Sequence, residues 1–204
     1  MDTPISKVYI YLQIFIKRKF EIKRDKVSQG IRLVIPEYYV DKSANGGIFL
    51  AFIAIYTVGR LKNPNEHPAS REFFEVGQEV IKQAAKTGHL IKEFSPNRVL
   101  FPEKTIQGEG EPILTLTVWK NLQSLYRFTY SGQHMQALKN RNKWFGSLQE
   151  RQPNYVVWWT DKVTDVSWKE AFKRYDFYIQ NGPSPFAFDF KHVFNEFGER
   201  FELK

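Results

Sequence analysis

Between Ile113 and Thr160 the apolar positions change period twice, and each change marks an element. Ile113–Trp119 alternates apolar residues with threonine, the period-two pattern of a strand. Leu122, Leu125, Tyr126 and Thr129 recur at helical spacing, as do Leu138, Arg141, Phe145 and Leu148. That spacing predicts a helix over residues 121–148 with one inward face. Ser131-Gly132 interrupts the stripe and predicts a kink or a division into two helices. Gln152-Pro153-Asn154 reads as a turn, and Tyr155–Thr160 follows as a strand. Alternation puts Trp158 and Trp159 on opposite faces of that strand.

The same reading extends to both sides. Ile48–Val58 is apolar almost throughout, which fits a strand covered on both faces. Ser70–Thr87 is a predicted helix, with Ser70 as its cap and Gly88 as its stop. His89–Phe94 and Arg98–Phe101 form a second strand region, split at Ser95-Pro96-Asn97. Gln107–Pro112 is a hairpin-like turn. Ser167 and Glu170 have the spacing of a capping box, so a last helix is expected over Ser167–Asn181, stopped by Gly182. Pro183–Phe190 reads as a short strand. The order β-α-β-β-α-β, with one extra helix and strand, predicts an α+β chain of ferredoxin-like topology. The expected division is an N-terminal extension (1–47), a core domain (48–194) and a charged tail (195–204).

The extension changes the picture of charge. Lys and Arg exceed Asp and Glu by 30 to 22, a net charge of +8. Residues 1–47 hold nine of those cations and five of the anions, so the excess is densest there. Val8–Ile16 is apolar and is followed by Lys17-Arg18-Lys19. Nine residues are too few for a helix to cross a bilayer, which takes about 20. A secretory signal would place the charge before the apolar run. An added hairpin, a leader from an upstream start codon, and a membrane-surface contact through residues 8–24 stay open as readings.

Composition removes several chemistries. No cysteine is present, which excludes disulfides, thiol catalysis and Cys-based metal sites and accords with the cytoplasm as the expected compartment. No Gly-x-Gly-x-x-Gly turn, P-loop or nucleophile elbow occurs. The basic charge and abundant rings raise nucleic acid as a partner, but the RNA-binding ring pattern is missing, which disfavours it.

His134 and Arg141 lie two helical turns apart and so share a face. His134 is a candidate acid, base or haem ligand, or else a helix histidine bonded to backbone or carboxylate. Arg141 is a candidate partner for an acidic ligand, or else for a carboxylate such as Glu170. Trp144, Phe145, Trp158 and Trp159 read first as core or dimer interface, and otherwise as walls of a pocket for a flat or polyene substrate. No histidine–carboxylate cluster with metal-ligand spacing is visible.

The run from Trp119 through Phe128, Tyr130, His134, Arg141, Trp144 and Phe145 resembles a bacterial family known as a domain of unknown function. Trp158, Trp159, Glu170, Ala171 and the Gly182-Pro183-x-Pro185-x-Ala187-Phe188-x-Phe190 segment carry the same resemblance. It spans about Phe49 to Phe190. That family is placed in the dimeric α+β barrel superfamily, which includes antibiotic-biosynthesis-type monooxygenases. A more distant likeness, confined to the Trp119-to-His134 run, is to spheroidene monooxygenase, a haem-using enzyme. The resemblance implies a homodimeric, ferredoxin-like α+β barrel whose sheets meet through the face without helices. It also implies oxidation of a hydrophobic aromatic or polyene molecule in a ring-lined cavity. His134 would be the base, Arg141 the anion partner, and Trp119, Tyr130, Trp144 and Trp158 the substrate contacts. Cofactor-free chemistry is the expected form, with haem as the variant, and a non-catalytic ligand-binding or structural barrel is the alternative.

Overall fold

The computed structural model describes residues 51–95, 107–148 and 152–203, all within the unit Ser43–Lys204. The expectations for 1–47, including the membrane-surface contact, and for Arg98–Phe101 lie outside the described residues. Four strands form one antiparallel sheet: β1 (Phe52–Arg60), β2 (Leu90–Glu93), β3 (Pro112–Trp119) and β4 (Tyr155–Thr160). Their order across the sheet is β2-β3-β1-β4. Tyr56 of β1 lies opposite Leu116 of β3 on one side and Val156 of β4 on the other. The β2–β3 register slips between Leu90 and Lys92.

Alternation along β1 sorts the core onto two faces. Ala54, Tyr56 and Val58 join Leu116, Val118, Val156 and Trp158 on one face. Ile53 and Ile55 join Trp119 and Val157 on the other. Both faces are covered, which is why the strands read as continuous apolar runs.

Two helices pack on the second face, through Ala84 of the first and Leu122 and Leu125 of the second, and a third packs against the first of them through Trp144. α1 (Pro68–Lys86) runs between β1 and β2, and α2 (Leu122–Thr129) and α3 (Gly132–Trp144) link β3 to β4. The expected 28-residue helix is thus two. Asn121 caps α2 by accepting from the Ser124 amide, and Gly132 opens α3 at a φ of 52°, a left-handed conformation that only glycine adopts at little cost. α1 also starts earlier than expected. Pro68 supplies its first turn with a preset φ, and His67 caps it by accepting from the Ala69 amide. Ser70 lies inside the helix, buried, and donates to the Asn63 carbonyl instead.

The first face is closed by α4 (Trp168–Asn181). Its buried positions Ala171, Arg174, Tyr175 and Tyr178 follow an i, i+3, i+4, i+7 stripe. Ser167 caps it by accepting from the Glu170 amide, and Gly182 ends it at a φ of 77°. Glu170 does not complete a capping box, because its carboxylate pairs with Arg174. Among the described residues the sheet is open and closes no barrel. The face expected to be free of helices lies under α4.

The remaining chain runs along the β4 edge. Phe188 exchanges both backbone hydrogen bonds with Val157, extending the sheet by one residue in place of the expected strand. Phe186 and Ala187 enter the first core face, and Phe188 and Val193 the second. Of the segment expected as a charged tail, residues 195–203 are described and form part of a hairpin. β5 (Val193–Phe194) pairs with β6 (Arg200–Phe201), and the Trp159 indole donates to the Phe194 carbonyl at 2.8 Å. Among the described residues no helix is long and apolar enough to cross a membrane.

Candidate functional site

The six residues singled out from sequence occupy different surroundings. His134, in the first turn of α3, places Nδ1 2.9 Å from the Thr129 carbonyl that ends α2. The carbonyl can only accept, so Nδ1 carries the proton. Burial holds the imidazole below its ordinary pKa, against the opposing effect of that hydrogen bond. Its ring lies 5.1 Å from Phe128, and Phe128 lies 4.8 Å from Trp119. Trp119 is buried and donates its indole N–H to Thr117 at 3.0 Å.

Arg141 is half-buried two turns further along α3 and makes no ion pair among the described residues. Its expected partner Glu170 belongs to Arg174, at 2.9 Å. Trp144 fills the α1–α3 seam, 5.7 Å from Phe73, with its indole donating to Glu72 at 3.3 Å. Trp158 lies on the opposite sheet face from Trp119, beneath the Arg174 guanidinium at 5.2 Å. The three tryptophans therefore wall no common chamber; each is packed in its own part of the core.

Haem finds no fit at His134. The imidazole is held between the Thr129 carbonyl and the Phe128 ring, and it lines neither of the clefts described below. Among the described residues no group of three or more His, Asp or Glu side chains is placed to hold a metal ion.

Tyr130 is different, because it is a large ring that is 41% exposed. It stands 4.8 Å from Tyr126, and Phe190 lies 5.4 Å and 5.9 Å from these two. Tyr155 completes the group at 5.2 Å from Phe190, whose amide donates to the Tyr155 hydroxyl at 3.2 Å. Tyr126 and Tyr130 sit one turn apart on the end of α2, so both present their rings to the same side. They line an open cleft of about 520 Å³ with Gln123, Arg127 and Ser131. A second cleft, of about 390 Å³, continues past Arg127 to His89, Asn121 and Ser124.

Phe190 also leads into a polar cluster. Asp189 accepts from the Tyr178 hydroxyl at 2.5 Å and from His192 Nδ1 at 3.0 Å. It also accepts from the Lys191 and His192 amides, each at 2.8 Å. Burial pushes its carboxyl up, but these donors outweigh burial and hold it below the ordinary carboxylate range. Burial and the Asp189 charge raise the Tyr178 hydroxyl.

Residues 52–202 match the model of a family described as a domain of unknown function (DUF3291). The chain belongs to this family. The match begins at the first residue of β1 and ends just past β6, so the family's span takes in both clefts, the ring group and the C-terminal hairpin. No curated protein and no solved structure matches the chain.

Sequence reasoning raises Tyr126 beside Tyr130 as a hydroxyl that meets a substrate or caps the helix packing, but passes over Arg127, Tyr155, Tyr178, Asp189 and His192. One local signal was there to be used. Asp189-x-x-His192 has the spacing of an aspartate turn closing on a histidine. The link to Tyr178, from a different element, carries no such mark.

Proposed function

We propose that this domain is a ferredoxin-like small-molecule-binding module that takes a flat, ring-bearing ligand on Tyr126 and Tyr130. The carrying observation is the exposed Tyr130 ring, paired at 4.8 Å with Tyr126 at the mouth of a cleft. Aromatic faces offer a flat ligand large contact area with little side-chain ordering cost. The strand order β2-β3-β1-β4, antiparallel throughout, supports the ferredoxin-like part, as does the placement of α1 and α2 on one face. Kinship with dimeric α+β barrels is part of the proposal. Joining two sheets through the face under α4 would need that helix to give way, so the ligand site is read as complete within one chain.

The test is a titration with 2-naphthamide, followed by ligand fluorescence anisotropy. Tyr130→Leu keeps apolar volume and removes the ring, so it should weaken binding about tenfold. An unchanged affinity would place any bound ligand elsewhere.

A monooxygenase-like reading rests on a different observation, the Asp189–His192 pair. With Nδ1 donating to Asp189, the imidazole keeps Nε2 as its basic nitrogen, two residues along the chain from Phe190 of the ring group. It would take the proton of an electron-rich phenol, and the phenolate would reduce dioxygen by four electrons overall, one oxygen atom entering the ring to give a quinone and the other leaving as water. Oxygen consumption with naphthol probes, abolished by His192→Ala, is its expected sign.

A further inference from the structure

The two clefts share Gln123, Arg127 and Ser131, so they form one groove along α2 with unlike halves. Tyr126 and Tyr130 make one half aromatic. The other half is lined mostly by polar side chains, Arg127, His89, Thr87 and Gln83 among them, with Phe128 as its one ring of carbon. No carboxylate lines either half. Two polar residues there are already committed to the α2 terminus. Asn121 accepts from the Ser124 amide at 2.8 Å, and the Ser124 hydroxyl donates to the Asn121 carbonyl at 2.9 Å. Arg127 is exposed and makes no ion pair among the described residues. It is thus a guanidinium at the joint of a groove without acidic groups, with a fork of donors that suits a planar oxyanion.

We infer that the ligand is an aromatic acid, its ring against Tyr126 and Tyr130 and its carboxylate held by Arg127. This rests on the binding reading above and adds the charge of the ligand to it. The distribution of charge agrees: outside residues 1–47 the chain holds 21 cationic against 17 anionic side chains, and none of the anionic ones lines the groove. His89 is a second donor at the far wall and would meet a longer acidic group before a shorter one.

The experiment compares 2-naphthoate with the neutral isostere 2-naphthamide on the full chain. A charge-assisted hydrogen bond at a surface cleft corresponds to about a tenfold preference for the acid. Arg127→Gln keeps the helix propensity of the side chain and removes its charge, so it should weaken 2-naphthoate binding more than 2-naphthamide binding and bring the ratio of the two affinities to about one. The preference should also shrink as salt is raised, since the site is open to solvent. Equal affinity for the two probes, or a preference that survives Arg127→Gln, overturns the inference while the aromatic site stands. Acid binding that needs Arg127 but ignores Tyr130→Leu overturns the aromatic site instead. If neither probe binds, both fall.

Discussion

His134 Nδ1 and the Thr129 carbonyl, 2.9 Å apart, tie the first turn of one helix to the last residue of the helix before it. Thr129 is buried, and its carbonyl is among those an α-helix leaves without an internal partner. His134→Ala strands that acceptor in a poorly solvated place, which costs about 1–3 kcal/mol. Urea denaturation followed by far-UV circular dichroism should show this loss. A variant as stable as the wild type would mean that water or another donor replaces the imidazole.

The same contact makes stability depend on pH in a definite direction. The folded pKa of His134 lies below its ordinary value, chiefly through burial. As pH falls, the unfolded chain binds the proton first, near pH ~6.5. The stability conferred by the neutral imidazole is therefore complete above about pH 6.5 and is lost as pH falls from there toward the folded value. Midpoints of urea unfolding at pH 7, 6 and 5 should decline in the wild type. In His134→Gln that decline should be smaller, and equal slopes would remove His134 as the cause.

Asp189 acts lower on the pH scale. Its folded pKa is depressed by donors from Tyr178, the Lys191 amide and His192, which outweigh its burial. Its contribution is present above its unfolded value near 3.9 and disappears as pH falls through the folded value. Asp189→Asn should destabilise the chain at pH 7, because the amide cannot serve all four donors, and the variant should lose less on acidification below pH 4. Acid titration of the melting temperature reads both effects. Parallel wild-type and variant curves would show that Asp189 stays outside the acid transition.

The β4 strand, the division at Ser131-Gly132 and the opposed faces of Trp158 and Trp159 were legible because each rests on local period or on one glycine. The fate of the tryptophans was not. A ring in a core and a ring in a pocket both remove area from water, so composition cannot separate them. Only the strand pairing puts Trp119 and Trp158 on opposite faces. Arg174 was hidden for a related reason. A charge within an apolar stripe reads as solvated, yet here its guanidinium lies 5.2 Å from Trp158 and 4.2 Å from Phe186 and pairs with Glu170. The Asp189 cluster needs Tyr178 from α4, and no spacing within the sequence announces that meeting.

Arg174 is accordingly a position where size-conserving and size-reducing changes should differ. Arg174→Ala removes the ring contacts and leaves both Glu170 and the Phe186 carbonyl without their donor. Glu170 is partly solvated, so the expected loss is about 2–4 kcal/mol, below that of breaking a fully buried pair from one side. Arg174→Met combined with Glu170→Leu removes both charges and keeps the volume, and it should recover most of that loss. Thermal unfolding of the three proteins decides it. A double variant no better than Arg174→Ala would show that the Phe186 carbonyl, not the ion pair, sets the cost.

Gly77 and Gly146 respond to alanine in opposite ways. Gly77 lies inside α1 with no atom within 4 Å of the position a Cβ would take. Alanine there removes the entropic cost of a helical glycine and should stabilise by about 0.5–1 kcal/mol. At Gly146 an added Cβ would lie 1.6 Å from the Gln107 carbonyl oxygen. That oxygen is backbone, and its strand entry is pinned, since the Gln107 amide donates to Ser147 at 3.2 Å and the Gly146 amide to Arg60 at 2.9 Å. Alanine must push two hydrogen-bonded segments apart, which costs at least the ~1–3 kcal/mol of an overpacked core site. Melting temperatures should therefore move apart in sign. If Gly146→Ala melted like the wild type, the close passage of residues 107 and 146 would have to be relaxed in solution, and with it the seam that carries β3 back toward β1.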